Sequence, residues 1–194
     1  EVIKFTNNPW IIRPALIKEK LGVDAYTLVN DFGAVGHAVA QADKDHFLHL
    51  AGPDIDLPDT GTISIIGPGT GLGVAHIWRG GGQYHVQATE GGHIDFAPLD
   101  SIEDAILARL RKRHGPGLVE IYETLAGIEG KAIQSLDDKV LWQMGTSGED
   151  SLAAAAVDRF CLSLGSICGD IALAQGGAGV VVAGGLGLRI KETL

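Results

Sequence analysis

Cysteine is nearly absent. Only Cys161 and Cys168 occur among 194 residues. Their spacing is neither a Cys-x-x-Cys redox pair nor a zinc pattern, so reduced, packed thiols are expected. Basic charge is also scarce: 15 Lys and Arg face 24 Asp and Glu, a formal net charge of −9. An acidic surface repels nucleic acid and anionic membrane, and neither is an expected partner. Any anionic ligand would need local help from backbone amides or a divalent cation. The stretch Glu1-Val-Ile-Lys-Phe5 lacks the basic start and apolar core of a signal peptide. The most apolar helical stretch, Leu152 to Ala174, carries Asp158, Arg159 and Asp170, which argues against a membrane span. A cytoplasmic protein is the expectation.

Glycine, by contrast, is plentiful and clustered, with 28 residues. In Ile63-Ser-Ile-Ile-Gly-Pro-Gly-Thr-Gly-Leu-Gly-Val-Ala-His-Ile-Trp78, Gly67, Gly69, Gly71 and Gly73 alternate with Pro68, Thr70 and Leu72. Every second side chain is removed, and the bare N–H groups left behind can converge on an anion. Val74 to Trp78 is β-branched and aromatic, so the pattern predicts strand, turn, strand. A P-loop is excluded, because no Lys followed by Ser or Thr closes the glycine run. A dinucleotide fingerprint is excluded too: counted from Gly69, its third glycine position is Leu72, and no helix follows. The remaining readings are a phosphate-binding hairpin and an unliganded flexible turn. Thr70, a hydroxyl in the middle of the turn, favours the first.

The rest of the chain reads as alternating strands and helices. Pro14 to Leu21 predicts a short helix ended by Gly22. Ala25 to Val29 predicts a strand, and Phe32 to Ala42 a helix with Phe32, Val35 and Val39 on one face. Asn30 and Asp31 would then stand where a strand hands over to a helix, a ligand position in α/β sheets. Either residue could equally be a helix cap. Asp43 to Asp59 is a polar connection, Gly80-Gly-Gly82 a turn, and Tyr84 to Ala88 a further strand, which together suggest a mixed sheet.

In Thr89-Glu-Gly-Gly-His-Ile-Asp-Phe96, two glycines let Glu90 and His93 point into one cleft. A carboxylate beside an imidazole suits sugar hydroxyls, which both donate and accept. The competing readings are a metal site using His93 and Asp95, for which no third ligand is evident, and an exposed turn. Ser101-Ile-Glu-Asp104 has the capping-box pattern and opens a helix whose basic end, Arg109 to Arg113, reads as solvated. Helices are expected at Leu118 to Ala126, at Ser135 to Met144, and from Thr146 to about Gln175, where Gly165 and Gly169 would allow close packing. Val180 to Ala183 predicts a buried parallel strand, with Gly184 and Gly185 at its ligand end.

These motifs together resemble the bacterial glucokinases, within the superfamily of sugar kinases, actin and Hsp70 ATPases. The resemblance is carried by Thr6-Asn7, Val29-Asn30-Asp31-Phe32, Gly67 to Ala75, Glu90-Gly-Gly-His93, Asp95-Phe-Ala-Pro98, Gly115-Pro-Gly-Leu118 and Val182-Ala-Gly-Gly185. It implies a two-domain actin-like (ribonuclease H-like) α/β fold with mixed sheets flanked by helices. Residues 1–41 would be the remnant of the small domain up to the hinge, and 42–194 the large domain. It further implies that Asp31 is the general base toward the 6-hydroxyl of glucose, and that Asn30, Glu90 and His93 bind sugar hydroxyls. Gly67, Gly69, Thr70 and Gly71 would contact ATP phosphates, Gly184 and Gly185 would lie beside the adenosine, and Mg²⁺ would be held mainly through ATP. A homodimer is implied as well. Three parts of the family pattern have no counterpart here: an upstream Asp-x-Gly-Gly-Thr turn, a segment after the adenosine glycines, and a loop before Gly115 with a further sugar-binding Glu. A chain incomplete for activity is therefore expected. The alternatives are a non-catalytic sugar- or nucleotide-binding module and a sugar-responsive regulator of the related repressor and kinase family. The two distant cysteines and the acidic charge argue against the regulator.

Overall fold

A mixed sheet with helices on both faces organises the larger part of the chain. In this computed structural model the described residues are 2–4, 9–69, 71–112 and 117–194. The chain divides into two units, Glu1–Asn30 and Asp31–Leu194. The division falls before the helix over 31–41, whereas the sequence reading set it at residue 41.

The first unit holds strands β1 (Ile3–Lys4) and β2 (Ile11–Ile12), paired antiparallel, and helix α1 (Pro14–Leu21). Pro14 sits in the first turn of α1, where a missing N–H costs nothing. Gly22 ends the helix in the left-handed region, at φ 64°, as its position predicts. The expected strand at Ala25 to Val29 does not form. Strand propensity becomes structure only against a ladder partner, and none of the described strands pairs with this stretch.

The second unit opens with α2 (Asp31–Gln41). Strands β3 (Gly61–Pro68), β4 (Leu72–Gly80) and β5 (Gln83–Thr89) follow as two hairpins. Helices α3 (Ser101–Leu110), α4 (Gly117–Ile128), α5 (Asp138–Ser147) and α6 (Ser151–Ala174) come next, then β6 (Gly177–Val182) and α7 (Gly185–Arg189). The strand order is β5-β4-β3-β6, with β6 parallel to β3 and the other pairs antiparallel. The strand–turn–strand reading of the glycine run and the mixed sheet are both realised.

Alternation along β3 and β4 builds two cores. Ile63, Ile65 and Ile77 face α2, which answers with Phe32, Val35 and Val39, the face its periodicity predicts. Ile66 and Val74 face the other way, into a larger core with Leu118, Leu125, Leu141, Val157 and Leu164. There Trp142 and Phe160 meet edge to face at 5.1 Å. Helix α2 approaches the sheet closely because Gly36 has no side chain: a Cβ there would come within 2.5 Å of Val86 Cγ1.

Several helix expectations change. The N-cap of α3 is Asp100, one residue before the expected Ser101, and its side chain accepts from the Glu103 N–H at 2.8 Å. Glu103 is buried and accepts from the Leu99 N–H at 2.7 Å and from the Ser163 hydroxyl at 2.8 Å. Its burial against α6 explains the shift of the cap. Arg109 is not a solvated helix end. It reaches across to α4, pairing with Glu120 at 2.6 Å and also with Glu123. Nor do Gly165 and Gly169 mediate packing in α6, since a Cβ at either would meet nothing within 4 Å. The close helix approach lies instead at Gly145 of α5, where a Cβ would come within 2.7 Å of the Ala153 carbonyl oxygen of α6. Helix α6 is long and apolar enough to cross a membrane. In this fold Leu152, Ala156, Val157, Cys161 and Leu164 pack it into the core, and Arg159 pairs with Asp100 at 2.6 Å.

Candidate functional site

The site gathers at the end of the sheet where β3 turns into β4. The ladder closes with Gly67 opposite Gly73 and Pro68 opposite Leu72. Within the turn, the Gly69 N–H donates to the Gly71 carbonyl at 2.8 Å, so that amide is already engaged. A Cβ at Gly71 would meet nothing within 4 Å, which leaves its outer side open. Thr70 lies outside the described residues.

Gly67 and Gly73 serve a different purpose. Both project toward α2, and the ring of Phe32 occupies the space where their side chains would be. A Cβ on either glycine would collide with that ring. The two glycines are strand residues with ordinary negative φ, so the need for glycine here is room rather than backbone freedom.

Phe32 follows Asp31. The Phe32 N–H donates to Asp31 Oδ1 at 2.8 Å, which orients the carboxylate at the start of α2. Because no strand forms over Ala25 to Val29, Asp31 is not at a strand end as expected; it begins the helix. Its side chain is exposed and, as the hydrogen bond shows, engages its own helix terminus. Asn30 ends the first unit.

The Glu90–His93 turn is joined to the same hairpin from the other side. Thr89 ends β5 opposite Val74. Its hydroxyl donates to the Val74 carbonyl at 3.1 Å and accepts from the Gly91 N–H at 3.1 Å. Gly91 to His93 then forms one 3₁₀ turn, closed by the His93 N–H on the Glu90 carbonyl at 3.0 Å. Gly92 lies so near the Leu72 carbonyl that a Cβ would collide with it. The turn brings Glu90 and His93 together, with Oε2 and Nε2 3.6 Å apart and both side chains more than 80% exposed.

The fourth contributor is the end of β6. The Ala183 N–H donates to the Ile66 carbonyl at 2.8 Å, which carries the parallel ladder one residue past the strand. Gly184 then takes φ 93°, a conformation that favours glycine, and a Cβ on it would stand 3.8 Å from the Pro68 carbonyl oxygen. Gly185 begins α7 with open space before it. Gly67, Gly69, Gly71, Asp31, Glu90, His93, Gly184 and Gly185 thus belong to four segments that meet around one hairpin.

Among the described residues no group of three or more His, Cys, Asp or Glu side chains could hold a metal ion. Burial pushes both thiols up to about 11, so Cys161 and Cys168 remain neutral packing groups. The sequence reading missed the role of Phe32. The signal was available: in a hairpin centred on Thr70, Gly67 and Gly73 must be cross-strand neighbours, and two glycines facing each other leave a slot for a ring.

Known proteins share this fold. The chain superposes on a crystal structure of a glucokinase from an Antarctic psychrotroph with a TM-score of 0.83 and 29% identity, covering 100% of this chain and 63% of that one. A Leishmania braziliensis glucokinase shares the fold, with a TM-score of 0.69 and 20% identity over 98% of this chain and 58% of its own. The fold is that of the α/β sugar kinases. The glucokinase of Zymomonas mobilis is 59% identical over 204 residues, covering 100% of this chain and 63% of that protein. A family model described as Glucokinase matches residues 1–194, and the chain belongs to the glucokinase family. It spans a little under two thirds of the length of the relatives it matches.

Proposed function

We propose that the protein is an ATP-dependent glucokinase, which transfers the γ-phosphoryl group of ATP to the 6-hydroxyl of glucose. One observation carries the reading: in a member of this family, the open hairpin turn, Asp31, the Glu90–His93 turn and Gly184 all adjoin one end of the sheet. Asp31 is the general base that takes the hydroxyl proton. Asn30, Glu90 and His93 bind sugar hydroxyls. Gly69, Thr70 and Gly71 form the phosphate turn, shaped by Gly67, and Gly184 and Gly185 border the adenosine. Phosphoryl transfer has a loose transition state, so positioning and charge stabilisation do most of the catalysis. An open glycine turn and one oriented carboxylate suit that task.

Mg²⁺ would enter bound to the ATP phosphates and neutralise their charge. Residues 1–41, whose last helix packs on the sheet of the larger unit, would be the remnant of a smaller domain up to the hinge, and 42–194 the larger domain. The net charge of −9 disfavours nucleic acid and anionic membrane as partners, and the family resemblance implies a cytoplasmic homodimer.

The test is a coupled assay of the full-length gene product with glucose, ATP and Mg²⁺. Glucose-dependent ADP formation is expected. Glucose binding without turnover would instead mark a binding module.

A further inference from the structure

We propose that Phe32 is a positioning residue that fixes the phosphate turn against Asp31. The inference rests on the functional reading above and adds a residue to it. The Phe32 side chain fills the slot over the facing glycines Gly67 and Gly73, one ladder pair before the turn begins. Its own N–H holds Asp31 Oδ1 at 2.8 Å. A single residue therefore touches the base through its backbone and the phosphate hairpin through its ring.

The helix beneath it is firmly seated. Val35 and Val39 pack on Ile63, Ile65 and Ile77, and Gly36 lets α2 close onto Val86. With α2 held, the ring has one place to go, and the hairpin has one height at which it can lie over the ring. The two glycines are as much part of the device as the phenyl group, since a methyl on either would lift the turn or push out the ring. Displacements of about 1 Å in a positioning element can cost on the order of 10²-fold in rate. A change at Phe32 should therefore act on turnover more than on sugar affinity.

The experiment compares full-length wild type with Phe32→Leu, Phe32→Ala, Gly73→Ala, the Phe32→Ala/Gly73→Ala double variant and Asp31→Asn. Glucose-binding sites are counted by calorimetry, and kcat is expressed per binding site, so that loss of folded protein does not count as loss of catalysis. Phe32→Leu is expected to lower kcat per site by roughly 10- to 100-fold while glucose affinity changes by less than about 2-fold. Gly73→Ala is expected to cost much less in the Phe32→Ala background than alone, because the shorter side chain leaves room for the added methyl. A Phe32→Leu enzyme whose kcat per site stays within about 2-fold of wild type overturns the inference alone, provided that Asp31→Asn abolishes turnover. Simple additivity of Phe32→Ala and Gly73→Ala also overturns it. Wild-type-like turnover by Asp31→Asn, or none in the unaltered protein, overturns the functional reading and this inference with it.

Discussion

Gly92 rests against the Leu72 carbonyl with no room for a side chain between them. The second glycine of Glu90-Gly-Gly-His93 is thus a close-approach residue that ties the turn to the first residue of β4. Gly92→Ala must push the turn away from a backbone oxygen, which cannot rotate aside. The expected result is a loss of about 1–3 kcal/mol in stability and a raised KM for glucose. Gly71→Ala, which meets open space, should leave stability nearly unchanged. Chemical denaturation and steady-state kinetics on both variants check the contrast.

Asp31 is exposed and accepts from the N–H of Phe32 at its own helix terminus, so replacing it should spare the fold. Asp31→Ala or Asp31→Asn is expected to lower kcat by roughly 10²–10⁴-fold, the usual worth of general-base help. Glu90→Ala should raise KM for glucose more than KM for ATP. The measurement is kcat and both KM values for folded variants of the full-length protein; near-wild-type kcat in Asp31→Asn would remove it from the mechanism.

The strand–turn–strand hairpin could be read from residues because its determinants are local: β-branched runs on either side of a glycine turn. Helix α2 was legible for the same reason, through the spacing of Phe32, Val35 and Val39. What local pattern could not supply was partnership. Ala25 to Val29 has strand propensity but no ladder in the described residues. Arg109 looked like a solvated cation until α4 brought Glu120 to it. The glycines divide in the same way. Their clustering was visible, but whether each one makes a turn, seats a ring or touches nothing depends on elements distant in sequence. The candidate site's members were reached through resemblance; the contacts that join them to one hairpin became apparent only in three dimensions.

Arg109 and Glu120 make an ion pair at 2.6 Å, and the Glu120 side chain is only 4% exposed. The pair joins α3 to α4 on the face away from α2. Removing the arginine leaves a buried carboxylate without its countercharge, which costs more than the pair itself contributes. Arg109→Met is therefore expected to destabilise the protein by about 3 kcal/mol. Adding Glu120→Gln to it should recover part of that loss, because a neutral amide is cheaper to bury alone. Urea denaturation of the two variants and wild type measures both steps. An Arg109→Met protein as stable as wild type would show that the pair is solvated in solution.

Cys161 and Cys168 supply a pH dependence of known sign. Burial raises both thiols in the folded chain from an ordinary value of 9.0 to about 11, with Asp158 adding to the shift at Cys161. Between those values the unfolded chain has lost thiol protons that the folded chain keeps. Stability then falls as pH rises, since the unfolded state binds fewer protons. The thiol contribution is thus fully present below about pH 9 and is lost as pH climbs toward 11. Other alkaline groups are shifted as well: Lys131 is raised by its hydrogen bond to Glu129, and Tyr122 by burial. The cysteine share is isolated by difference. Cys161→Ala/Cys168→Ala should show a shallower fall in urea midpoint across this window than wild type. In the native protein at pH 8, both thiols should also react with iodoacetamide far more slowly than in the unfolded chain, because the thiolate is the nucleophile. Equal alkaline slopes in the two proteins, or rapid native alkylation, would show that the thiols are not held neutral in the folded chain.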